Sequence, residues 1–245
     1  TQNRTVAEML ACGARYFDLR VENDGGNLVV FHGPIKGMSF LPIIDAISEF
    51  LTNHPSETLL LDFQHFENDG SMEGVDSLLN EKLNGKLVVN DTEKSDLQFA
   101  KELTVGAARG KAMVFWGNYF KNTSECEYIN GRNYLFARNN DAGTRTGSTL
   151  HSFYKGTLNR LASKTYLKKA IPEYVEQFRQ SNGGFFVMQM QLTDPIVIIG
   201  PKFYEGTHNK NASSFVKSLK DKEYFDVVNI VMRDYIGAEK CKEII

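Results

Sequence analysis

The sequence lacks any long hydrophobic run. Its longest apolar stretch, Pro195 to Pro201 around Ile196, Val197, Ile198 and Ile199, falls well short of the roughly 20 residues that a bilayer-spanning helix needs. That stretch reads as a buried strand or an apolar loop, and no transmembrane segment is expected. Neither sign of charge is in excess, with 28 Lys and Arg against 30 Asp and Glu and a net charge of −2. Nucleic-acid binders carry a basic stripe, so nucleic acid is not the expected partner. A near-neutral chain can still act at a membrane surface. Cysteine is scarce: Cys12, Cys126 and Cys241 are too few for a disulfide framework and show no zinc-ligand spacing. They leave open one bridge plus a free thiol, or three free thiols. The chain also has no internal repeat, heptad run or low-complexity tract. No Met precedes Thr1, so an N-terminal segment is expected to be missing, and the lack of a targeting signal carries no weight.

What is present is the composition of a globular protein, 42% hydrophobic and 24% charged. A length of 245 residues suits one domain spanning 1–245. Four glycosylation sequons, at Asn3, Asn90, Asn122 and Asn211, tilt the expected compartment towards secreted or luminal rather than cytoplasmic.

Short strand-like runs alternate with amphipathic segments, which is the pattern of an α/β domain built on a parallel sheet or barrel. Strands are expected at Arg15–Arg20, Asn27–Phe31, Thr58–Phe63, Lys111–Trp116, Phe185–Met190 and Val227–Asp234. Helices are expected at Phe40–Asn53, Met72–Leu83, Tyr166–Gln180 and Asn211–Leu219. Residues 118–154, rich in Asn, Gly, Thr and aromatics, read as long loops. Phe120, Tyr128, Phe153 and Tyr154 are read as core residues there, with insertion at a membrane interface as the alternative.

Asp18 and Arg20 lie two apart on the first strand and so leave the same face. Alone they read equally well as a structural ion pair. His32 ends the next strand before Gly33-Pro34, and Asp62 and Gln64 repeat the same-face pattern with His65 expected opposite. Asp234 ends the last strand. Polar strand ends gathered from distant parts of a sequence are what the C-terminal mouth of a barrel assembles.

The runs Gly13-Ala-Arg-Tyr-Phe-Asp-Leu-Arg20, Val30-Phe-His-Gly33, His54-Pro-Ser-Glu-Thr58 and Leu60-Leu-Asp-Phe-Gln-His-Phe66 resemble the X domain of phosphatidylinositol-specific phospholipases C. The later runs Ala107–Lys111 and Val231–Tyr235 are similar more loosely. The resemblance implies a distorted TIM-type (βα) barrel, here without its first strand. It also implies a two-step phosphodiester reaction on phosphatidylinositol-type lipids, in which an inositol hydroxyl attacks phosphorus and diacylglycerol leaves. By the same resemblance His32 is the general acid, Arg20 binds the phosphate oxygens and Asp18 orients the Arg–His pair. Asp234 is the carboxylate that pairs with the family's first histidine, and Asp62 and Gln64 are substrate-binding residues. Arg20 stands where calcium-dependent relatives carry a ligating carboxylate, and Gln64 where they carry a glutamate, so no metal and no other cofactor is expected. The implied partner is a phosphoinositide lipid at a membrane surface, met by a monomer.

The sequence departs from the family pattern at its first histidine and at the inositol-contacting positions, where Gln64 replaces a lysine. The Gly-Thr/Ser-His-Asp motif that carries the family's first histidine, the general base, is absent, and none of His54, His65, His151 or His208 stands in a comparable context. Gly117 or Asn118 falls where an arginine is expected. Two alternatives therefore stay open: an inactive phosphoinositide-binding module, and a glycerophosphodiester phosphodiesterase. The second would need a Glu-x-Asp metal pair where this chain has Asp18-Leu-Arg20.

Overall fold

Alternation along the first strand sets the architecture. Phe17, Leu19 and Val21 are buried on one face of β1 (Tyr16–Asp24), while Tyr16, Asp18 and Arg20 lie on the other. The same period of two recurs on β4 (Thr58–Glu67), with Leu59, Leu61 and Phe63, and on β5 (Lys111–Trp116), with Ala112, Val114 and Trp116. All three apolar faces pack into one cluster with residues of α1 (Val6–Ala11), α2 (Leu41–Asn53) and α3 (Ser71–Lys82). Each such side chain, fully buried, contributes about 1.5–3 kcal/mol.

The structure is a computed structural model and describes residues 2–117, 128–139, 148–155, 161–181, 183–192, 201–223 and 225–244, with side chains of the last helix but one described from residue 206. Parallel ladders join β1 to β4, β4 to β5, and β5 to β6 (Leu135–Ala137). A second parallel run joins β7 (Leu150–Ser152), β8 (Phe185–Gln189) and β9 (Ile230–Met232). The two runs meet where the Asn139 N–H donates to the Leu150 carbonyl and the Thr149 N–H to the Ala137 carbonyl. The result is a curled α/β sheet of barrel type, and among the described residues no ladder joins β9 back to β1. Beside β1 the antiparallel strands β2 (Asn27–His32) and β3 (Ile35–Ser39) form a hairpin that ends the sheet.

The remaining helices are α4 (Asp96–Glu102), α5 (Val105–Ala108), α6 (Ser163–Gln180), α7 (Pro201–Lys217) and α8 (Ala238–Lys242). Helix α1 starts on a capping box between Thr5 and Glu8, which satisfies backbone donors at its first turn. Helices α6 and α7 share an apolar cluster with Phe186 and Met188 of β8. The concave side of the sheet is filled by Tyr16, Leu60, Met113, Phe115, Phe136, Leu150, Val187 and Ile230.

Four expectations need correction. The stretch 118–154 is not all loop, because β6 and β7 lie within it. At three residues each they are too short to show alternation. The closing strand is only Ile230–Met232, with a 3-10 turn at Phe225–Val227 in front of it. The last long helix begins ten residues earlier than its apolar spacing suggests, so His208 sits on a helix and not in a loop. His65 does not face away from Asp62, for a reason given below. Phe153 is buried and Tyr128 and Tyr154 are half-buried, as the core reading expected. Phe120 and most of the Pro195–Pro201 run lie outside the described residues.

Candidate active site

The lower layers of the concave face are apolar, and the C-terminal strand ends above them are polar. Asp18 and Arg20 rise from β1, Asp62 from β4, Arg138 just after β6, Ser152 from β7 and Gln189 from β8. Asp234 follows β9 on the parity of Ile230 and Met232. Active sites of barrel proteins gather at this end.

The Arg20 guanidinium faces the Asp18 carboxylate fork to fork, with Nε and one terminal nitrogen each 3.5 Å from a carboxylate oxygen. Both side chains are partly open to solvent. At that separation the carboxylate orients the guanidinium, whose planar fork has the geometry to bind an oxyanion. His32 is exposed at the end of β2, before Gly33, whose positive φ of 57° turns the chain sharply. Crowding by the surrounding protein lowers the His32 pKa, and the positive charge of Arg20 lowers it further. The negative charges of Asp18 and Asp234 act the other way. The imidazole thus responds to three of the residues grouped with it in the sequence, so the fold brings His32, Arg20, Asp18 and Asp234 to one mouth.

Asp62 and Gln64 are brought to the same strand end but lie deeper. Asp62 is fully buried, 2.7 Å from Nε of the equally buried Arg138, and accepts a 2.7 Å hydrogen bond from the Tyr16 hydroxyl. Burial pushes the Asp62 carboxyl up, Asp18 adds to this, and Arg138 and Tyr16 pull it back. Burial, with the charges of Asp62 and Asp18, also raises the Tyr16 phenol well above its usual value.

Gln64 sits in a β-bulge. The β1–β4 register runs Asp18 to Asp62 and Leu19 to Phe63, then shifts so that Arg20 pairs with His65 and Glu22 with Glu67. One extra residue in β4 reverses the alternation beyond it. His65 therefore stands on the face of Arg20, its ring 5.1 Å from that of Phe31 and its Nε2 3.1 Å from Glu67.

Sequence reasoning missed His65 on this face and missed Arg138 altogether. A signal for Arg138 existed. A Cβ added at Gly117 would lie 2.5 Å from Arg138 Cγ, so the glycine, at the place where an arginine was expected, makes room for the arginine of the next strand. The other histidines make other contacts. His54 is exposed and stacks on Phe50 at the end of α2. His151 is buried among Phe153 and Phe178, and His208 is held between the Ser163 hydroxyl and the Met190 carbonyl. Among the described residues no cluster of three or more His, Cys, Asp or Glu is placed to hold a metal ion.

The arrangement is a curled α/β sheet of barrel type whose polar mouth joins a histidine, an arginine and carboxylates. Residues 1–116 match the family model "Phosphatidylinositol-specific phospholipase C, X domain", so the resemblance to that family holds over the part of the chain that carries Asp18, Arg20 and His32. A human relative, PI-PLC X domain-containing protein 2, is 43% identical over 70 residues, which cover 27% of this chain and 23% of the human protein. The zebrafish PI-PLC X domain-containing protein 3 is 34% identical over 86 residues, 34% of this chain and 25% of that protein. The aligned stretches thus span about a quarter of those relatives' length. The fold is similar to that of the phosphatidylinositol-specific phospholipase C from Listeria monocytogenes, with a TM-score of 0.72 at 22% identity, covering 100% of this chain and 82% of the bacterial one. The Staphylococcus aureus enzyme gives a TM-score of 0.66 at 13% identity over 100% and 84% of the two chains.

Proposed function

We propose that this chain supplies the general acid and the phosphate-binding arginine of a site that cleaves the phosphodiester of phosphatidylinositol-type lipids without a metal ion. The products are diacylglycerol and an inositol phosphate that is cyclic when first formed, and the general base is contributed by a group outside those assigned. The observation that carries this reading is the loose Asp18–Arg20 fork beside His32. Arg20 stabilises the negative charge that grows on the equatorial oxygens as the inositol hydroxyl attacks phosphorus. Asp18 holds the guanidinium plane and keeps part of the proton affinity that Arg20 and crowding remove from His32. Protonated His32 gives its proton to the departing glycerol oxygen. Asp62, tied to Arg138 and Tyr16, holds β1, β4 and the end of β6 together beneath the site. None of His54, His151 and His208 is assigned as the base that takes the hydroxyl proton.

A guanidinium at position 20 repels a divalent cation and supplies positive charge of its own, which supports metal independence. The hairpin that carries His32 supports a lipid surface as partner. Its edge strand β3 is exposed throughout, with Ile35 and Met38 open to solvent and Ile35 directly paired to His32. A phosphoinositide whose headgroup reaches His32 would set those side chains against the acyl boundary.

The test is release of inositol phosphate from phosphatidylinositol vesicles in excess EDTA by the full-length protein that carries this chain, with His32→Ala alongside. Activity in chelator that the substitution abolishes is the expected result. Activity only after calcium is added would overturn the role given to Arg20. Binding without turnover in either condition would establish the inactive phosphoinositide-binding module instead.

A further inference from the structure

Cys12 caps the C-terminal end of α1, where its N–H donates to the Glu8 carbonyl, and Cys241 is buried on α8, near the other end of the sequence. Gly13, the residue after Cys12, has a positive φ of 105°. A Cβ built on Gly13 would lie 3.1 Å from Cys241 Cβ and 3.5 Å from its Sγ. Cys12 is the adjacent residue, one Cα step of about 3.8 Å from that contact. Burial, and then the charge of Cys12, raises the Cys241 pKa. A second, non-covalent tie crosses the same seam, where Gln2 donates to the Arg233 carbonyl and accepts from the Ile236 N–H.

We propose that Cys12 and Cys241 are a redox pair whose disulfide joins the first helix to the last and fastens the seam between β1 and β9. Cys12 is half-buried and Cys241 buried, which sets the order of events. The Cys12 thiolate attacks one sulfur of a small-molecule disulfide, and that S–S bond breaks with release of one thiolate. Cys241, its proton passed to water, attacks Cys12 Sγ in the mixed disulfide and expels the second thiolate. Two protein thiols are oxidised and one external disulfide is reduced to two thiols. The bond would constrain the ends of almost the whole chain, where loop closure costs the unfolded state most. It would also brace Asp234, which lies between β9 and α8, against the strand that carries Asp18 and Arg20.

The test equilibrates the full chain with oxidised or reduced glutathione, blocks free thiols by alkylation and maps the linked peptides. A Cys12–Cys241 peptide under oxidising conditions is expected. The melting temperature should rise by about 5–10 °C over the reduced form, and Cys12→Ser should abolish the difference. The Cys126→Ser variant should leave link and shift unchanged. Three outcomes would overturn the proposal: both thiols alkylated after oxidation, a lasting glutathione adduct on Cys12 without a link, or a bridge that uses Cys126. Peptide mapping and melting do not depend on the proposed activity, so failure here and failure of that reading are separable.

Discussion

Arg20 stands in register with His65 and not with Gln64, because β4 spends one residue on a bulge between Phe63 and His65. If the mouth binds a phosphorylated headgroup, His65 is the β4 residue beside it. His65→Ala should lower kcat/KM by roughly 10- to 100-fold, the worth of a hydrogen bond to a charged group. Gln64→Ala should lower it far less. Rates on phosphatidylinositol vesicles for the two variants check this, and an equal loss in both would mean that the bulge itself carries the effect.

His32 must be protonated to act as an acid, and its pKa is held below the usual imidazole value by crowding and by Arg20. Activity should fall as pH rises through that lowered pKa. Asp18 works against the shift, so Asp18→Asn should move the limb to still lower pH, and His32→Ala should cost about 10²–10⁴-fold. The pH profile of kcat/KM reads both effects, and a limb that does not move in Asp18→Asn would separate Asp18 from His32.

Asp62 and Arg138 neutralise each other where neither reaches solvent. Asp62→Asn removes the buried countercharge of the Arg138 guanidinium and should destabilise the fold by about 3–5 kcal/mol in denaturant unfolding. Gly117→Ala should act through the same pair, since its methyl would meet Arg138 Cγ at 2.5 Å. The two losses should be less than additive, because both displace one side chain.

Burial lowers the His151 pKa to about 4, so the folded chain keeps this imidazole neutral. The unfolded chain binds its proton near pH 6.5. Between those values the unfolded state holds more protons, and stability must fall as pH drops from above 6.5 towards 4, by about 3 kcal/mol in all. His208, also lowered by burial, adds in the same direction. Urea unfolding at pH 7 and pH 5 should show the loss, and His151→Gln should flatten the slope.

Ile35 and Met38 are exposed on β3 beside His32. Replacing both with serine should weaken binding to phosphatidylinositol vesicles roughly tenfold or more, if each side chain leaves water on docking. Cleavage of a soluble inositol phosphodiester should be unchanged. Sedimentation with vesicles, beside the soluble assay, makes the comparison.

Much of the mouth was legible in the sequence because its grammar is local. Asp18 and Arg20 two apart on an apolar strand must share a face, and His32 before Gly33-Pro34 must end one. Strands β1, β4 and β5 show their period of two over six or more residues, and α2 shows its helical spacing. Strands β6 and β7 did not, because three residues carry no period and their pairing depends wholly on neighbours far along the chain.

The sequence by itself determined the α/β alternation, the polar strand ends and the X-domain resemblance of its first half, since each is written in contiguous residues whose spacing is dictated by backbone geometry. Only the tertiary structure decided which face His65 takes, because a bulge is a property of two strands in register and not of one. It alone decided that Arg138 fills the space left by Gly117 and neutralises Asp62, and that Gly13, next to Cys12, lies against Cys241. Those pairings join residues as far apart in the chain as Gly13 and Cys241, and nothing local in a chain encodes what closure of a curled sheet will bring together.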